Sequence, residues 1–544
     1  MQKSVNQLIS HIYALGVRYV ILCPGNRNAP VSLSFIRHKG FKCFSLVDER
    51  SAAYTALGIA IYQSKPVVIV CTSGTAVLNL YPAIAEAYYS QIPLIVITAD
   101  RPSHLIDQWE GQCIRQTAIF EKHILASFTF DVEKNDNFDF KNNLFNCLSP
   151  VKGPIHINIP LEEPLYAKSD EFLYNNIKPY EQKSIAFTNK IPNEKLPSKI
   201  LILAGADAYG QRLEKYCSFL SKSKKVVFIA DILSGLHQKQ NIKNWDFTCL
   251  LSSENEKQVL KPDLLITFGK IIVSKSLNQF LKKFKPQNHW HITPNGTIGN
   301  PFQTSPSEIK CSEEFFLSWI KNNISNIDKS YFENWEKISV KYDKKINKTF
   351  EQANFNEFSA TRFILKNIEK NVNLFLSNSM PVRYASYLTT LCKISKIYCN
   401  RGVSGIDGTT STAAGVSMVS KNNTVLITGD LSFFYDINGL WNKYLKSNYK
   451  IIVFNNNGGG IFRLIDGPDK AKERERYLTA PPNRNCKAIA ENFNFIYFEA
   501  NDFDSLNNSF KKFMDIKNSS AIFEIKFKPQ NAVKFFKKLN LDTI

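Results

Sequence analysis

Apolar residues recur at helical spacing through Val5, Leu8, Ile9, Ile12 and Leu15, and an unbroken apolar run, Tyr19 to Cys23, follows before Pro24-Gly25 interrupts it. The alternation continues. The pattern predicts a helix from about Pro30, a strand over Phe41 to Val47, a helix over about Glu49 to Tyr62 and a strand over Pro66 to Cys71. After Thr72-Ser-Gly-Thr75 a helix is expected to about Tyr89, then a strand over Pro93 to Thr98. Strands that stay apolar on both faces, separated by helices, belong to a parallel sheet covered on both sides. Such sheets bind ligands at the carboxyl ends of their strands. The residues to examine are therefore Gly25 to Asn28, Asp48 to Arg50, Ser73 to Thr75 and Ala99 to Pro102.

A polar segment, about Lys168 to Ser198, lacks periodicity and is expected to be a linker. Strands then recur at Lys199 to Ala204, Lys225 to Ala230, Leu264 to Phe268 and His289 to Thr293, predicting a second α/β unit. A Lys-rich helical stretch, about Ser312 to Glu351, leads to a third unit with strands at Leu374 to Ser377, Lys396 to Cys399, Thr424 to Thr428, Ile451 to Phe454 and Ser520 to Ile525. The expectation is an α/β chain of three doubly wound parallel-sheet domains, spanning residues 1–180, 181–350 and 351–544. No repeat of solenoid period is present.

Composition narrows the function classes. Apolar residues make up 44% and charged residues 21% of the 544, as in globular domains rather than disordered or fibrous chains. The net charge of +20 suggests an anionic partner. Yet 54 of the basic residues are lysines, spread along the chain with many asparagines, so a nucleic-acid surface is not expected. The 14 arginines are more selective: six precede residue 116, seven follow residue 361, and Arg212 stands alone between. Arginine is the side chain suited to bidentate capture of carboxylate or phosphate. The eleven cysteines form no CxxC pair, and Cys23, Cys71 and Cys399 lie in or beside strands as expected of reduced, buried thiols. His289 and His291 share one strand face, but nothing nearby in sequence completes a metal site. No apolar stretch is long enough for a membrane span, and Asn6, Gln7, His11 and Arg18 interrupt the signal-like start, so a cytoplasmic protein is expected.

The strongest chemical signal lies in the third unit. Strand Thr424 to Thr428 runs into Gly429-Asp430-Leu431-Ser432, and the next strand, Ile451 to Phe454, runs into Asn455-Asn456-Asn457-Gly458-Gly459-Gly460. A carboxylate and a carboxamide at successive strand tips are hard oxygen ligands for Mg²⁺, and a Gly-rich backbone can add a carbonyl. Gly429 permits close approach of a phosphate, and a helix after Ser432 would offer its N-terminus to an anion. Taken singly, each turn reads better as an ordinary turn with a helix cap; together, at that spacing, they point to the metal and phosphate site.

This arrangement resembles the diphosphate and metal site of thiamine diphosphate (ThDP) enzymes. Further stretches narrow the resemblance: Cys23-Pro-Gly-Asn-Arg-Asn-Ala-Pro30, Val47-Asp-Glu-Arg50, Thr72-Ser-Gly-Thr-Ala76, Asn79-Leu-Tyr-Pro82, Thr98-Ala-Asp-Arg-Pro102, Asn378-Ser-Met-Pro-Val-Arg383, Asn400-Arg-Gly-Val-Ser-Gly-Ile-Asp-Gly408 and Gly459-Gly-Ile-Phe462. They are similar to the MenD family, the menaquinone-pathway synthases of 2-succinyl-5-enolpyruvyl-6-hydroxy-3-cyclohexene-1-carboxylate. The likeness is strong at both ends of the chain, whereas the middle unit matches only in position and strand order.

The resemblance implies a ThDP-binding fold, with a pyrimidine-binding first domain and a diphosphate-binding third domain that face each other between subunits of a homodimer or dimer of dimers. It implies decarboxylation of 2-oxoglutarate and 1,4-addition of the resulting succinyl-semialdehyde carbanion to isochorismate. Glu49 would be the acid that activates the cofactor. Asp430, Asn456 and the Gly458 carbonyl would bind Mg²⁺, or Mn²⁺. Pro24, Ser73, Ser404, Ile406, Gly429, Leu431, Ser432 and Ile461 would contact the cofactor, with Ile406 beneath the thiazolium. Arg27, Arg101, Arg383 and Arg401 would clamp substrate carboxylates, and Asn26, Gln112, Lys275, Ser379 and Phe462 would complete the substrate pocket. Asn26 and Asn28 stand where the family usually has Ser, and Gly111 where it often has a larger residue, which puts one substrate hydrogen bond in question. Other readings stay open: another ThDP-dependent 2-oxo-acid decarboxylase, an acetolactate synthase-like enzyme, or an inactive ThDP-like binding subunit.

Overall fold

The computed structural model describes residues 2–133, 138–148, 153–165, 173–180, 189–207, 210–294 and 299–539. Three wholly parallel sheets organise them. The first contains β1 (Tyr19–Leu22), β2 (Lys42–Ser45), β3 (Val67–Cys71), β4 (Leu94–Asp100), β5 (Ala126–Thr129) and β6 (Ile155–Pro160), in the order β2-β1-β3-β4-β6-β5. The second contains β7 (Ile200–Ala204), β8 (Val227–Ala230), β9 (Leu264–Phe268), β10 (Asn288–Ile292) and β11 (Pro306–Ile309), in the order β11-β10-β9-β7-β8. The third contains β12 (Asn373–Leu376), β13 (Ile397–Tyr398), β14 (Thr424–Gly429), β15 (Tyr449–Asn455), β16 (Ile496–Ala500) and β17 (Ala521–Lys526), in the order β13-β12-β14-β15-β17-β16. The first and third sheets thus share one strand order, a repeat of topology that leaves no repeat in the sequence.

Burial on both faces explains the unbroken apolar strands. Ile21, Ile69 and Val96 pack into one core, and Val20, Val68, Val70, Ile95 and Ile97 into another on the opposite face. The first and third units meet through two helices, Glu49–Gln63 and Thr409–Val419. Small residues make this contact close. A Cβ on Gly58 would stand 2.0 Å from the Thr412 carbonyl oxygen, and one on Gly415 would stand 2.2 Å from that of Thr55. Backbone touches backbone there, so only glycine fits.

Some elements differ from expectation. The helix expected to reach Tyr89 is two, Thr75–Asn79 and Tyr81–Ser90, because Pro82 has no N–H to continue the first. The stretch from Ser312 to Glu351 is also two helices, Glu313–Asn323 and Ser330–Glu351. Strands β5, β6, β11 and β16 are not foreshadowed by the apolar pattern. In β6 the polar His156 and Asn158 alternate with isoleucines yet are buried, and β11 is an edge strand of mostly polar residues. Part of the Lys168–Ser198 segment, residues 168–172 and 181–188, lies outside the described residues. Among the described residues, no helix is long and apolar enough to cross a membrane.

Candidate functional site

A cavity opens at the carboxyl ends of β12, β14 and β15. There the crossovers from β12 and β14 leave in opposite directions, the place where doubly wound sheets bind ligands. It spans about 770 Å³, part of it open to solvent. Its lining comes wholly from residues 357 to 462 and includes Ser379, Ile406, Gly429, Asp430, Leu431, Ser432, Asn456, Gly458, Ile461 and Phe462.

Its floor is held by hydrogen bonds between strand tips. Asp430, 2% exposed, accepts the Gly458 N–H on Oδ2 and the Leu431 N–H on Oδ1, both at 2.7 Å. Burial pushes its carboxyl up to about 6, against the pull of those N–H groups. Asn456 donates through Nδ2 to Glu357 Oε1 at 2.6 Å, and its buried Oδ1 has no partner. The Gly458 carbonyl accepts the Gly460 N–H at 2.9 Å and keeps a second lone pair. Gly458 has φ +124°, and a Cβ there would stand 2.3 Å from the Thr479 carbonyl oxygen, so glycine is required. A Cβ on Gly429 would meet nothing within 4 Å, so the space beside it belongs to the cavity. An ionisable carboxylate, an orphaned carboxamide oxygen and an open glycine fit a divalent cation with a diphosphate. The helix at this turn begins at Asp430 itself, not after Ser432.

The loop from Asn400 to Ile406 brings Ile406 into the cavity lining. Asn378 Nδ2 donates to the carbonyls of Asn400 and Gly405, both at 2.6 Å, and Ser432 Oγ donates to that of Ile406 at 3.1 Å. Arg401 donates to Asn378 Oδ1 at 3.2 Å, and its buried Nε is unpartnered. Ser404 sits in the same loop with φ +64°. Arg383 donates to the Ser379 carbonyl at 2.7 Å. Burial and the nearby Arg401 charge lower the Arg383 guanidinium below its usual range. Among the described residues neither arginine forms an ion pair. The buried Asp231 acts on Arg401 only at longer range, so two like charges without an ion pair suit a carboxylate ligand. Arg383, Lys275 and Ile461 line a second cavity of about 440 Å³, in which the middle unit contributes Asp246 and Ser274 as well.

The remaining candidates gather on the carboxyl edge of the first sheet and line neither cavity. Glu49 is half-buried at the start of its helix, and the cap is Asp48, whose side chain accepts the Ser51 N–H at 3.1 Å. Pro24 and Asn26 are exposed. Arg27 is 5% exposed and donates to the Leu161 carbonyl at 2.7 Å and to Glu163 at 3.0 Å within its own unit, while its buried Nε has no partner. The buried Ser73 hydroxyl has no partner. Arg101 donates to the Gly111 carbonyl at 2.8 Å, and Gln112 is exposed with φ +55°. A buried chain holds this edge. Gln116 accepts the Gly74 N–H at 2.9 Å and donates to Asn158 at 3.0 Å, Asn158 donates to Asp100 at 2.7 Å, and Asp100 accepts the Arg101 N–H at 2.7 Å.

Several functional neighbours carry no clear mark in the sequence. Glu357, Tyr384 and Asn378 line the main cavity. Asn356-Glu357 has the appearance of an ordinary helix start, and Asn378 lies inside a family-like motif whose pattern assigns it no role. His289 and His291 both hydrogen-bond the Thr267 hydroxyl at 2.8 Å, and no group of three metal-ligating side chains occurs among the described residues.

Comparison with known proteins agrees with this geometry. Family models match in chain order: thiamine pyrophosphate enzyme, N-terminal TPP binding domain, over residues 3–119; middle domain of thiamine pyrophosphate, over 189–376; and thiamine pyrophosphate enzyme, C-terminal TPP binding domain, over 382–525. The fold and cavity are thus those of a ThDP-dependent enzyme. Proteins named 2-succinyl-5-enolpyruvyl-6-hydroxy-3-cyclohexene-1-carboxylate synthase are similar along nearly the whole chain. That of Flavobacterium psychrophilum is 37% identical over 93% of this chain and 92% of its own length. That of Flavobacterium johnsoniae is 36% identical over 97% of each, and that of Bacteroides fragilis 33% identical over 94% and 93%. This chain belongs to the family of those synthases, MenD.

Proposed function

We infer that the chain is a ThDP-dependent transferase of menaquinone biosynthesis that joins 2-oxoglutarate to isochorismate with loss of CO₂. The family match over both ends and the middle supports the reading. One structural observation carries it to the substrates: Arg383 and Arg401 act on each other as like charges, neither is in an ion pair among the described residues, and Arg383 lines a cavity that shares Met380 and Ile461 with the cofactor cavity. Both substrates are dicarboxylates, whereas the small monoanions of acetolactate synthases and simple decarboxylases need less positive charge.

Bound ThDP supplies an acidic thiazolium carbon and a sink for the electron pair left when CO₂ departs. The residues of the chain bind and orient around it. Asp430, Asn456 and the Gly458 carbonyl would hold Mg²⁺, or Mn²⁺, with the diphosphate held at Gly429, Leu431 and Ser432. Ile406 would support the thiazolium, and Ile461 and Phe462 would exclude water. Glu49 would exchange a proton with the aminopyrimidine, and Pro24, Ser73 and Ser404 would contact the cofactor. Arg27, Arg101, Arg383 and Arg401 take the carboxylates, assisted by Asn26, Gln112, Lys275 and Ser379.

The Glu49 helix packs on the third unit of its own chain, while the cavity lining contains no residue from the first unit. We therefore assign Glu49 to the cavity of a second copy, in a homodimer or dimer of dimers. Residues 1–180 serve as the pyrimidine side and 351–544 as the diphosphate side, with 181–350 between them. A cytoplasmic setting suits eleven unpaired cysteines.

The test is incubation with ThDP, Mg²⁺, 2-oxoglutarate and isochorismate, with mass spectrometry of the products. Formation of the succinylated adduct supports the reading. Release of CO₂ from 2-oxoglutarate without adduct overturns it in favour of a simple decarboxylase.

A further inference from the structure

Glu86 is a buried acid that none of the assigned chemistry uses. It lies on the helix Tyr81–Ser90 of the first unit and is 2% exposed. Its carboxylate reaches the third unit of the same chain. Oε1 accepts the Gly402 N–H at 2.7 Å and Oε2 accepts the Val403 N–H at 2.8 Å, while Ser90 Oγ donates to Oε1 at 2.7 Å. The Ser404 N–H adds a further favourable contact. Among the described residues no cation pairs with Glu86, and burial raises its carboxyl above the ordinary range. A buried carboxylate without a counter-ion costs free energy unless N–H groups replace water, and three consecutive backbone N–H groups do so here. The approach is tight: a Cβ on Gly402 would stand 2.6 Å from the Glu86 carbonyl oxygen and 2.8 Å from Ser90 Oγ.

The residues so gripped adjoin the site. Arg401 immediately precedes Gly402, and Ile406 lines the cofactor cavity. Asn378 and Ser432 hold the loop from inside the third unit, at Asn400, Gly405 and Ile406. Between those anchors the side-chain acceptor for the backbone N–H groups is Glu86. We propose that Glu86 is a positioning residue: from the first unit it fixes the loop Gly402–Ser404 and so sets the reach of Arg401 toward a substrate carboxylate. The consequence for substrate rests on the functional reading above.

The variants are Glu86→Gln and Gly402→Ala. Glutamine keeps the volume but turns an NH₂ toward one of the N–H donors. Alanine leaves the acid intact and pushes the loop away from it. Neither touches the Asp430–Asn456 turn, so the Mg²⁺ dependence of ThDP binding, read by fluorescence, should match that of the parent protein, and any loss of ThDP affinity through Ser404 should be smaller than the change in substrate KM. In both variants the KM of one dicarboxylate substrate should rise about tenfold or more, with kcat changed far less, because one loosened clamp weakens binding rather than the acid–base step. A general packing defect would instead lower kcat, cofactor affinity and melting temperature together, and that pattern overturns the proposal, as do unchanged KM values. A readout independent of activity is amide hydrogen exchange at Gly402 and Val403 in the cofactor-loaded protein. It should speed up at least about tenfold in Glu86→Gln. If the parent protein makes no adduct, the functional reading fails, and exchange alone decides the positioning role: unchanged protection at Gly402 and Val403 refutes it.

Discussion

Glu357 Oε1 accepts the Nδ2–H of Asn456 at 2.6 Å, and this single bond decides which way the carboxamide faces. A carboxylate has no proton to give, so it accepts only from the NH₂ end and leaves Oδ1 for another partner. That oxygen is buried and unpartnered. Glu357 itself is 3% exposed, and burial raises its carboxyl despite the Asn456 bond. Outer partners of metal ligands typically contribute 10- to 100-fold in metal affinity by such orientation. In Glu357→Gln the neighbour can donate as well as accept, and the Asn456 carboxamide is free to turn over. The expected outcome is Mg²⁺-dependent ThDP binding weakened by ~10-fold in a protein whose melting temperature does not fall. Unchanged Mg²⁺ dependence in a calorimetric titration would remove Glu357 from the metal site.

Asp430 does two things at once. It ties the β14 tip to the Gly-rich turn after β15 through the Gly458 N–H, and it presents the carboxylate proposed for the metal. Asp430→Asn keeps a hydrogen-bond acceptor for Gly458 while removing the charge. Asp430→Ala removes both. ThDP retention through gel filtration should vanish in the alanine variant and fall strongly in the asparagine variant. Normal retention in both would show that the diphosphate sits elsewhere.

What was legible in the sequence follows from where each group sits. The strands β1, β3, β4 and β14 are buried on both faces, so they carry no polar alternation and stand out as apolar runs. The candidate metal ligands lie at the tips of β14 and β15, where glycine and a change of composition mark the turn. Glu357 and Glu86 gave no such mark. Glu357 reaches Asn456 from a helix start 99 residues earlier, and Glu86 lies on a helix face that ordinarily reads as core. Their roles exist only once the chain has folded. β6 escaped for a related reason: His156 and Asn158 look like solvent-facing positions, yet each is buried and satisfied by Thr98 and its neighbours.

His156 carries a prediction about acid stability. Burial lowers its imidazole to about 3 from the ordinary 6.5, and it lies between the hydroxyls of Thr98 and Ser127 at 2.8 and 3.2 Å. The folded protein therefore holds it neutral while the unfolded chain protonates it. Between about pH 6.5 and 3 the unfolded state binds the extra proton, so stability falls as the pH falls through that window. Each tenfold difference in proton affinity between the two states is worth ~1.4 kcal/mol, so the loss is on the order of 5 kcal/mol at the acid end. His237 and His289, both lowered to about 4 by burial, act in the same direction in the second unit. Melting temperatures measured from pH 7 to 4 should drop for the parent protein and drop less steeply for His156→Gln. Parallel curves would show that His156 is not a source of the acid sensitivity.

The assignment of Glu49 to a second copy can be tested by mixing two inactive proteins. Glu49→Gln keeps the size of the side chain and the ability to hydrogen-bond, but not the exchangeable proton, so it should retain ThDP and lose ~10²–10⁴ in the rate of cofactor C2 proton exchange. Asp430→Ala should lose the cofactor instead. If each site takes Glu49 from one chain and Asp430 from another, a heterodimer of the two variants concentrates both defects in one site and leaves its other site intact. Random exchange of subunits makes half the dimers mixed, with one competent site in each, so about one quarter of the parent activity should return. If each chain assembled its own site, every site in the mixture would carry one defect and no activity would return. Glu49→Gln that exchanged the C2 proton at the parent rate would remove the catalytic role of Glu49 altogether, and Glu49 would then be only an acid in the first turn of its helix, beside the cap that Asp48 already provides.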